Sequence, residues 1–533
     1  MSTQTVRLRA DAPRLPATPP QTDTANAPDG EGATRRKARA GMAMSLATFA
    51  MAAASAIQAV LYLGHFGTNV RTDGFFVAFA LYSTFGVFSQ SLRLTSVPLL
   101  VEPGARLSVR EFAATLGCVA LPVLVITIPL AGPLAHLIAP GLHPQGRAVT
   151  ASALPVLGCA MALQLWAAGG ATVLAIRDRF TTVAGAYMSG AFAGLVAFLA
   201  LMSSAGEQTL GWSMLAMALV TCGWMLVGVA RSGGLAGGRS ESSLGPAALA
   251  RNAGLILGRT AVYLAFNVLF VITLAFASHA SAGGTTVLSY AYLFASYLVA
   301  GTGMALGMSS IPDMTRDARA RRQTLVAETV PRGYRYAMLI VAPALAALIA
   351  VGAPFVHALL PASLSSAEVS TLRTFAALLV PWTVCALLVN FLLPVLFALG
   401  RAGLLNALAA PLVLIHLAAT AIGSALFGVD GAVGAFFVAP ACFAAVLLVA
   451  GAGRSATPAL LAELAGDAAR FLVLAALAFG AGWALGSTLP SELAQVLLAG
   501  AVGCALYVAG LRLVARRQLQ VLLNAVVVRP APA

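Results

Sequence analysis

Charge is what this chain has least of. Only 9% of its 533 residues are charged and 59% are hydrophobic, whereas a soluble domain carries charge on roughly a quarter of its residues. That shortage excludes an ordinary soluble domain and points to a polytopic membrane protein. Acidic residues are the scarcer sign, 18 against 32 basic, for a net charge of +14. No nucleophile motif, glycine-rich phosphate loop, paired-carboxylate constellation or metal-ligand spacing appears, so neither an enzymatic activity nor a cofactor is expected. The six cysteines, Cys118, Cys159, Cys222, Cys385, Cys442 and Cys504, all lie in apolar stretches and read as unpaired small core residues. The six histidines are scattered. Only His416 falls deep in an apolar segment, where packing and ligand roles both stay open.

Long apolar runs are what the chain has instead. Runs of about 20 residues, enough to cross a hydrocarbon core of about 30 Å, occur near 41–64, 74–101, 112–139, 149–176, 181–203, 210–230 and 253–278. A second series follows near 286–311, 336–360, 372–399, 404–427, 429–451, 470–488 and 492–514. Such runs must be helices, because lipid-exposed backbone satisfies its hydrogen bonds only within a helix or a closed barrel, and barrel strands would alternate in polarity. The expected fold is therefore all-α, with about fourteen transmembrane helices. Two six-helix lobes, 41–230 and 253–451, are joined by a cytoplasmic linker at 231–252, and an extra helix pair follows at 452–514. Residues 1–40, interrupted by Pro13, Pro16, Pro19, Pro20 and Pro28, read as an unstructured tail, and 515–533 as a second tail. The first apolar run is long enough to span, so it reads as a span and not as a cleavable signal peptide.

The arginines orient these spans. Basic residues crowd the first tail and every second loop after it: Arg106 and Arg110, Arg177 and Arg179, Arg231 to Arg251, Arg316 to Arg335, Arg401, Arg454 and Arg470, and the end of the chain. Those regions hold 27 of the 32 basic residues, while the intervening loops hold only Arg71, Arg147 and Arg373. The positive-inside rule then places both termini in the cytoplasm, as an even number of spans requires. Topology alone accounts for the positive charge, and nucleic acid is not an expected partner. The 313–335 loop is expected on the cytoplasmic side, against anionic headgroups or free of them.

Only Arg93 and Arg259 stand well inside apolar segments, and no carboxylate does. A membrane-embedded arginine is costly, so its default reading is functional. Arg93 lies about 12 Å from the cytoplasmic end of the second span, at 1.5 Å per residue, and Arg259 is shallower. Gln90 shares a helix face with Arg93, as Asn267 roughly does with Arg259. A guanidinium suits phosphate because its planar fork donates two parallel hydrogen bonds. The alternative is that each arginine snorkels to the cytoplasmic headgroups. If a chain of this kind moves an anion across the membrane, the missing carboxylate leaves two sources of energy, the membrane potential acting on that anion and sodium held by backbone carbonyls at broken helices.

Residues 72–98 and 286–312 share an offset of 214, with Thr72/Thr286, Leu92/Leu306, Ser96/Ser310 and Pro98/Pro312 coinciding. Each stretch is the second span of a six-span set, which suggests two homologous lobes with a substrate site between them. At these residues the chain resembles the MurJ/MviN family of lipid II flippases, within the MOP transporter superfamily. Thr72-Asp73 and Phe75-Phe76-Val77-Ala78-Phe79 are close to that family's TDAFFVAF segment, and Ala139-Pro140-Gly141 matches its APG loop. Arg179-Phe180, Tyr290-Ala291, Gly303, Ala305-Leu306-Gly307 and Pro312 match further family positions.

The resemblance implies a multi-pass protein of the bacterial inner membrane that flips a polyprenyl-diphosphate-linked glycan, with membrane lipids around it and cell-envelope synthesis proteins as partners. Another lipid-linked exopolysaccharide repeat unit is the rival cargo, and a transport-inactive scaffold for envelope enzymes is the other class. The resemblance also implies a cavity lined by spans one, two, seven and eight, where Gln58, Gln90, Arg93, Arg259 and Asn267 would converge. The family's first-span arginines fall here on Ala52, Gln58 and Gly64, and its Asp-Arg pair on Tyr292 and Leu293. Asp73, at the outer mouth of the second span, reads either as a cap of its own helix together with Thr72 or as part of an outer gate, paired with a cation such as Arg373.

Overall fold

The computed structural model describes residues 53–101, 107–233, 245–279, 282–304, 325–352 and 365–516, with a few shorter pieces besides. Every regular element among them is helical. The first half of the chain supplies α1 (Ala53–Phe66), α2 (Val70–Val101), α3 (Val109–Thr127), α4 (Ala131–Ile138), α5 (Pro144–Ile176), α6 (Phe180–Leu201) and α7 (Thr209–Arg231). The second half supplies α8 (Pro246–Ala277), α9 (Gly284–Val299), α10 (Leu325–Ala347), α11 (Ser366–Leu378), α12 (Val380–Ala398), α13 (Ala402–Gly434) and α14 (Val438–Ala452). A terminal pair, α15 (Thr457–Gly486) and α16 (Glu492–Val514), completes the described chain.

Local chemistry sets where several of these helices begin. Ser108 and Glu111 form a capping box at the start of α3, and Ser365 and Glu368 form another at the start of α11. Each box satisfies two backbone donors that the first turn leaves free. Pro122, Pro155 and Pro411 lie inside α3, α5 and α13, which membrane helices tolerate because neighbouring groups satisfy the freed carbonyls.

Ten helices among the described residues are long and apolar enough to cross a membrane. One of them, Ala402–Ala452, is bent at Phe427 and Gly428, so it makes two crossings. With α1, α2 and α9 these place a helix in each of the expected apolar segments. The halves pack internally through α2 with α5, α6 with α7, α8 with α13 and α12 with α14, and they meet where α2 lies against α8 and α9. The cysteines are free.

Two readings of the apolar segments need correction. The helix expected at 470–488 begins at Thr457, so Glu463, Asp467 and Arg470 are all helical, and Asp467 is buried. Similarly, the end of the expected 313–335 loop is the first part of α10. The physical reason is one contact. Arg335 bonds Glu463 at 2.5 Å and also Asp467, and this pairing lets charged turns extend two apolar helices beyond their hydrophobic limits. The rest of 313–335 lies outside the described residues.

Candidate functional site

The loops that the arginine pattern places outside the membrane meet at one end of the molecule, and there the two halves of the chain are bonded together. Asn69 caps α2, its Oδ1 accepting from the backbone N–H of Arg71 at 2.8 Å and of Thr72 at 3.1 Å. By contrast, α9 opens on Gly283 at φ 89, a conformation that favours glycine, and so has no side-chain cap of its own. Asp73 supplies the missing acceptor from the other half. Its carboxylate takes the N–H of Gly283 at 2.7 Å, the N–H of Thr286 at 2.8 Å and the Thr286 hydroxyl at 2.7 Å. The Thr286 hydroxyl also donates to Thr72 at 3.2 Å, so the two threonines paired by the 214-residue offset are in direct contact.

Asp73 is therefore not the cap of its own helix, and its partners are not Arg373, which stands exposed on α11. Asn69 already occupies the capping position of α2. An acidic side chain one turn further in is free to serve the positive end of another helix.

Three more contacts hold the same seam. The N–H of Gly141 donates to Ser278 Oγ at 3.1 Å, so close that a Cβ on residue 141 would come within 2.6 Å of the His279 ring. Thr68 donates to Glu368. The Tyr290 hydroxyl donates to the Ala59 carbonyl at 2.9 Å. Beside the seam, Arg71 bonds Glu207 at 3.0 Å, and a cavity of about 790 Å³ is lined by Arg71, Gln145, Ser152, Ser204, Glu207 and Gln208. Asp73, Arg71, Thr72, Thr286, Gly141 and Tyr290 all figure in the sequence reading, but which of them bond across the seam does not. The SxxE spacing of Ser365 and Glu368 predicts a capping box, but no sequence signal says that the second carboxylate oxygen reaches Thr68.

Glu368 carries a pH dependence. Burial pushes its carboxyl up, but hydrogen bonds from Thr68 and from the side chain and backbone of Ser365 outweigh this and hold it below its ordinary 4.5. A depressed carboxyl contributes stability that is complete above its unfolded value and is lost as pH falls through the folded one. The seam contact should thus stay intact down to the ordinary carboxylate range and weaken only in stronger acid. A thermal-melting titration from about pH 6 to about pH 3 checks this. Glu368→Gln should flatten part of the acid limb, and coincident wild-type and variant curves would remove Glu368 from the seam.

Beneath the seam lie neutral groups. Tyr62, Phe75, Phe76 and Tyr290 form a ring cluster. Deeper, Gln164 donates to the Tyr82 hydroxyl at 2.5 Å, and Tyr297 bonds Ser55. Tyr292 lies face to face with Phe270 at 3.7 Å and contacts Trp382 and Phe436. The position at which the resemblance would put a carboxylate is thus filled by an aromatic stack.

Gln58, Asn267 and Arg259 are the expected site residues whose side chains fall among the described residues. Gln58 is buried, its Nε2 3.5 Å from the point where a Cβ on Gly194 of α6 would stand. It packs beside α6. Asn267, on α8, is half-buried and turns its amide back to the Tyr263 carbonyl at 2.8 Å. Arg259 is half-buried on the same helix. Gln90 and Arg93 lie on α2, and their side chains fall outside the described residues.

The setting of Gln58 changes what an arginine there would do. Gln58→Arg would bury a guanidinium against α6 with no carboxylate beside it, at a cost of about 3–5 kcal/mol for an uncompensated charge. The expected result is a large fall in melting temperature with no gain in anion binding. Unchanged melting would mean that residue 58 reaches the space between the halves.

No family model matches the chain. No curated protein matches it either. Solved structures do match, over nearly their full lengths, at identities that establish the fold alone. A lipid II flippase MurJ in an inward closed conformation aligns with a TM-score of 0.69 at 13% identity, over 89% of this chain and 99% of that one. An inward-facing multidrug resistance MATE family transporter of the MOP superfamily aligns at 0.56 and 14%, over 80% and 99%. A mutant of the Vibrio cholerae MATE transporter VcmN aligns at 0.54 and 12%, over 80% and 98%.

Proposed function

We propose that this protein, sharing the fold of the MurJ and MATE transporters, is a flippase that moves a polyprenyl-diphosphate-linked glycan across a bacterial inner membrane by alternating access. Residues 41–230 and 253–451 act as two lobes and 452–514 as an accessory pair, with both termini cytoplasmic. The observation that carries this reading is the outer seam, where a carboxylate of one lobe caps a helix of the other. Such a cap is strong enough to hold one end shut, yet it consists of a few hydrogen bonds that can be made and broken as a unit. Lipid II or a related peptidoglycan precursor is the leading cargo. Arg93 and Arg259 are its diphosphate contacts, with Gln90 and Asn267 beside them.

The neutral interior supports a second cargo, another lipid-linked exopolysaccharide repeat unit. Tyr82, Gln164, Tyr297 and Ser55 offer hydrogen bonds suited to sugar hydroxyls, and Tyr292 occupies a position of the family's cavity charge. Rescue of a cell depleted of its own lipid II flippase tests the leading reading. Growth at confirmed membrane expression supports lipid II. Failure to rescue, with flipping of a neutral-sugar polyprenyl diphosphate in reconstituted vesicles, favours the second cargo. Failure in both assays leaves the scaffold for cell-envelope enzymes.

A further inference from the structure

The middle of the second half holds an ionisable group that the seam and the diphosphate contacts do not use. His416 is fully buried on α13, 14 residues past Ala402 and 11 before the bend at Phe427. It therefore sits near mid-membrane, about 21 Å from one end of its helix and about 16 Å from the other. An ionisable side chain at that depth is a functional candidate by default.

Its hydrogen bonds assign the tautomer. Nε2 lies 2.9 Å from the Leu269 carbonyl of α8, which can only accept, so the ring proton is on Nε2. Thr273 Oγ1 of α8 stands 2.9 Å from the same nitrogen and itself donates to the Leu269 carbonyl at 3.1 Å, and Thr420 Oγ1, one turn along α13, lies at 3.3 Å. Nδ1 is left as a bare acceptor, buried and with no partner among the described residues. Among the described residues the other faces of the site carry no compensating charge. Phe436 lies edge-on at 5.3 Å, and behind it stand Trp382 of α12, whose Nε1 is also buried without a partner, and Tyr292 of α9. From α11, which also packs on α13, the charged side chains are Glu368, engaged with Thr68 at the seam, and exposed Arg373.

An unsatisfied buried acceptor is destabilising and calls for an explanation. A proton arriving at Nδ1 would turn this acceptor into a charged donor with nothing to receive it. The neutral and protonated rings thus demand different surroundings, and α8 with α13 forms the interface that must change between them.

We propose that His416 is a proton-binding site that couples proton uptake to the switch between the two access states. The seam-closed form holds the neutral ring, and protonation favours a form in which α8 and α13 part enough to hydrate Nδ1. The coupling ligand is a proton, and no carboxylate takes part. This rests on the alternating-access reading but not on the identity of the cargo, so it is tested without cargo.

The experiment places spin labels at Ser204 and Ser370, exposed positions on the outer side of the two halves, in the protein reconstituted in nanodiscs. Their distance distribution is followed from about pH 7.5 to about pH 5, the range in which histidine titrates. The expected result is a growing long-distance population in the wild type on acidification, absent in His416→Gln. A wild-type distribution that ignores pH overturns the proposal, as does an identical titration in His416→Gln. Thr273→Val covers the case in which His416→Gln does not fold. It removes the hydroxyl beside Nε2 but keeps the ring, so its midpoint must move, and an unmoved midpoint counts against the site. Cargo flipping that persists while the pH response fails would reject the proton site and leave the transport reading standing.

Discussion

Replacing Asp73 with alanine should open the outer end of the protein. The buried carboxylate accepts three hydrogen bonds, two from backbone N–H groups in the first turn of α9 and one from the Thr286 hydroxyl. Removing it leaves those donors without a partner in a buried setting. Each such loss costs about 1–3 kcal/mol, and the favourable charge at the start of α9 is lost with it. An ordinary cap lends its strength to its own helix, but this one joins two halves of the chain. Its loss therefore falls on the contact between them, and folding is expected to be largely spared. A net loss of about 3 kcal/mol would shift the balance of closed and open forms about 100-fold, given 1.4 kcal/mol per factor of ten. Spin labels at Ser204 and Ser370 should report a longer distance in Asp73→Ala near neutral pH, and Asp73→Asn, which keeps one acceptor oxygen, should fall between. If the Asp73→Ala distances match the wild type, the seam does not hold the outer end closed.

Arg93→Ala should abolish flipping while Arg93→Lys keeps part of it. Arg93 is one of two arginines well inside the apolar segments, and the neutral groups beneath the seam leave a diphosphate few other cations to meet. An ammonium preserves charge but not the bidentate fork that fits a phosphate. Arg259→Ala should do less, since a shallow arginine also serves as an anchor at the headgroups. Vesicle flipping at matched expression decides the matter. Full activity in Arg93→Ala would move the phosphate contact elsewhere. A loss in which lysine does no better than alanine would point to packing in place of phosphate binding.

The two variants probe different kinds of knowledge. The helical class, the apolar segments and the expected orientation follow from single-residue properties, because each span must satisfy its own backbone and each basic loop is sorted by its own charge. Those were legible at Arg106, Arg177 or Arg401 without any partner being known. Even the offset that pairs Thr72 with Thr286 could be read as a pattern, though not that the two hydroxyls touch.

Pairings across the chain were not legible. That Asp73 caps α9 depends on Gly283 lacking a side chain 210 residues away, and that Gln58 packs beside Gly194 depends on how α1 lies on α6. Asp467 fell in the loop before the expected 470–488 span until Arg335 met it on a neighbouring helix. His416 read as a lone residue in an apolar run until α8 brought Leu269 and Thr273 to one of its nitrogens and nothing to the other. The sequence by itself determined which segments enter the membrane, because that is a sum over residues taken one at a time. Only the tertiary structure decided which polar groups meet there, because a hydrogen bond in a low-dielectric interior is set by the position of its partner and not by the residue that seeks one.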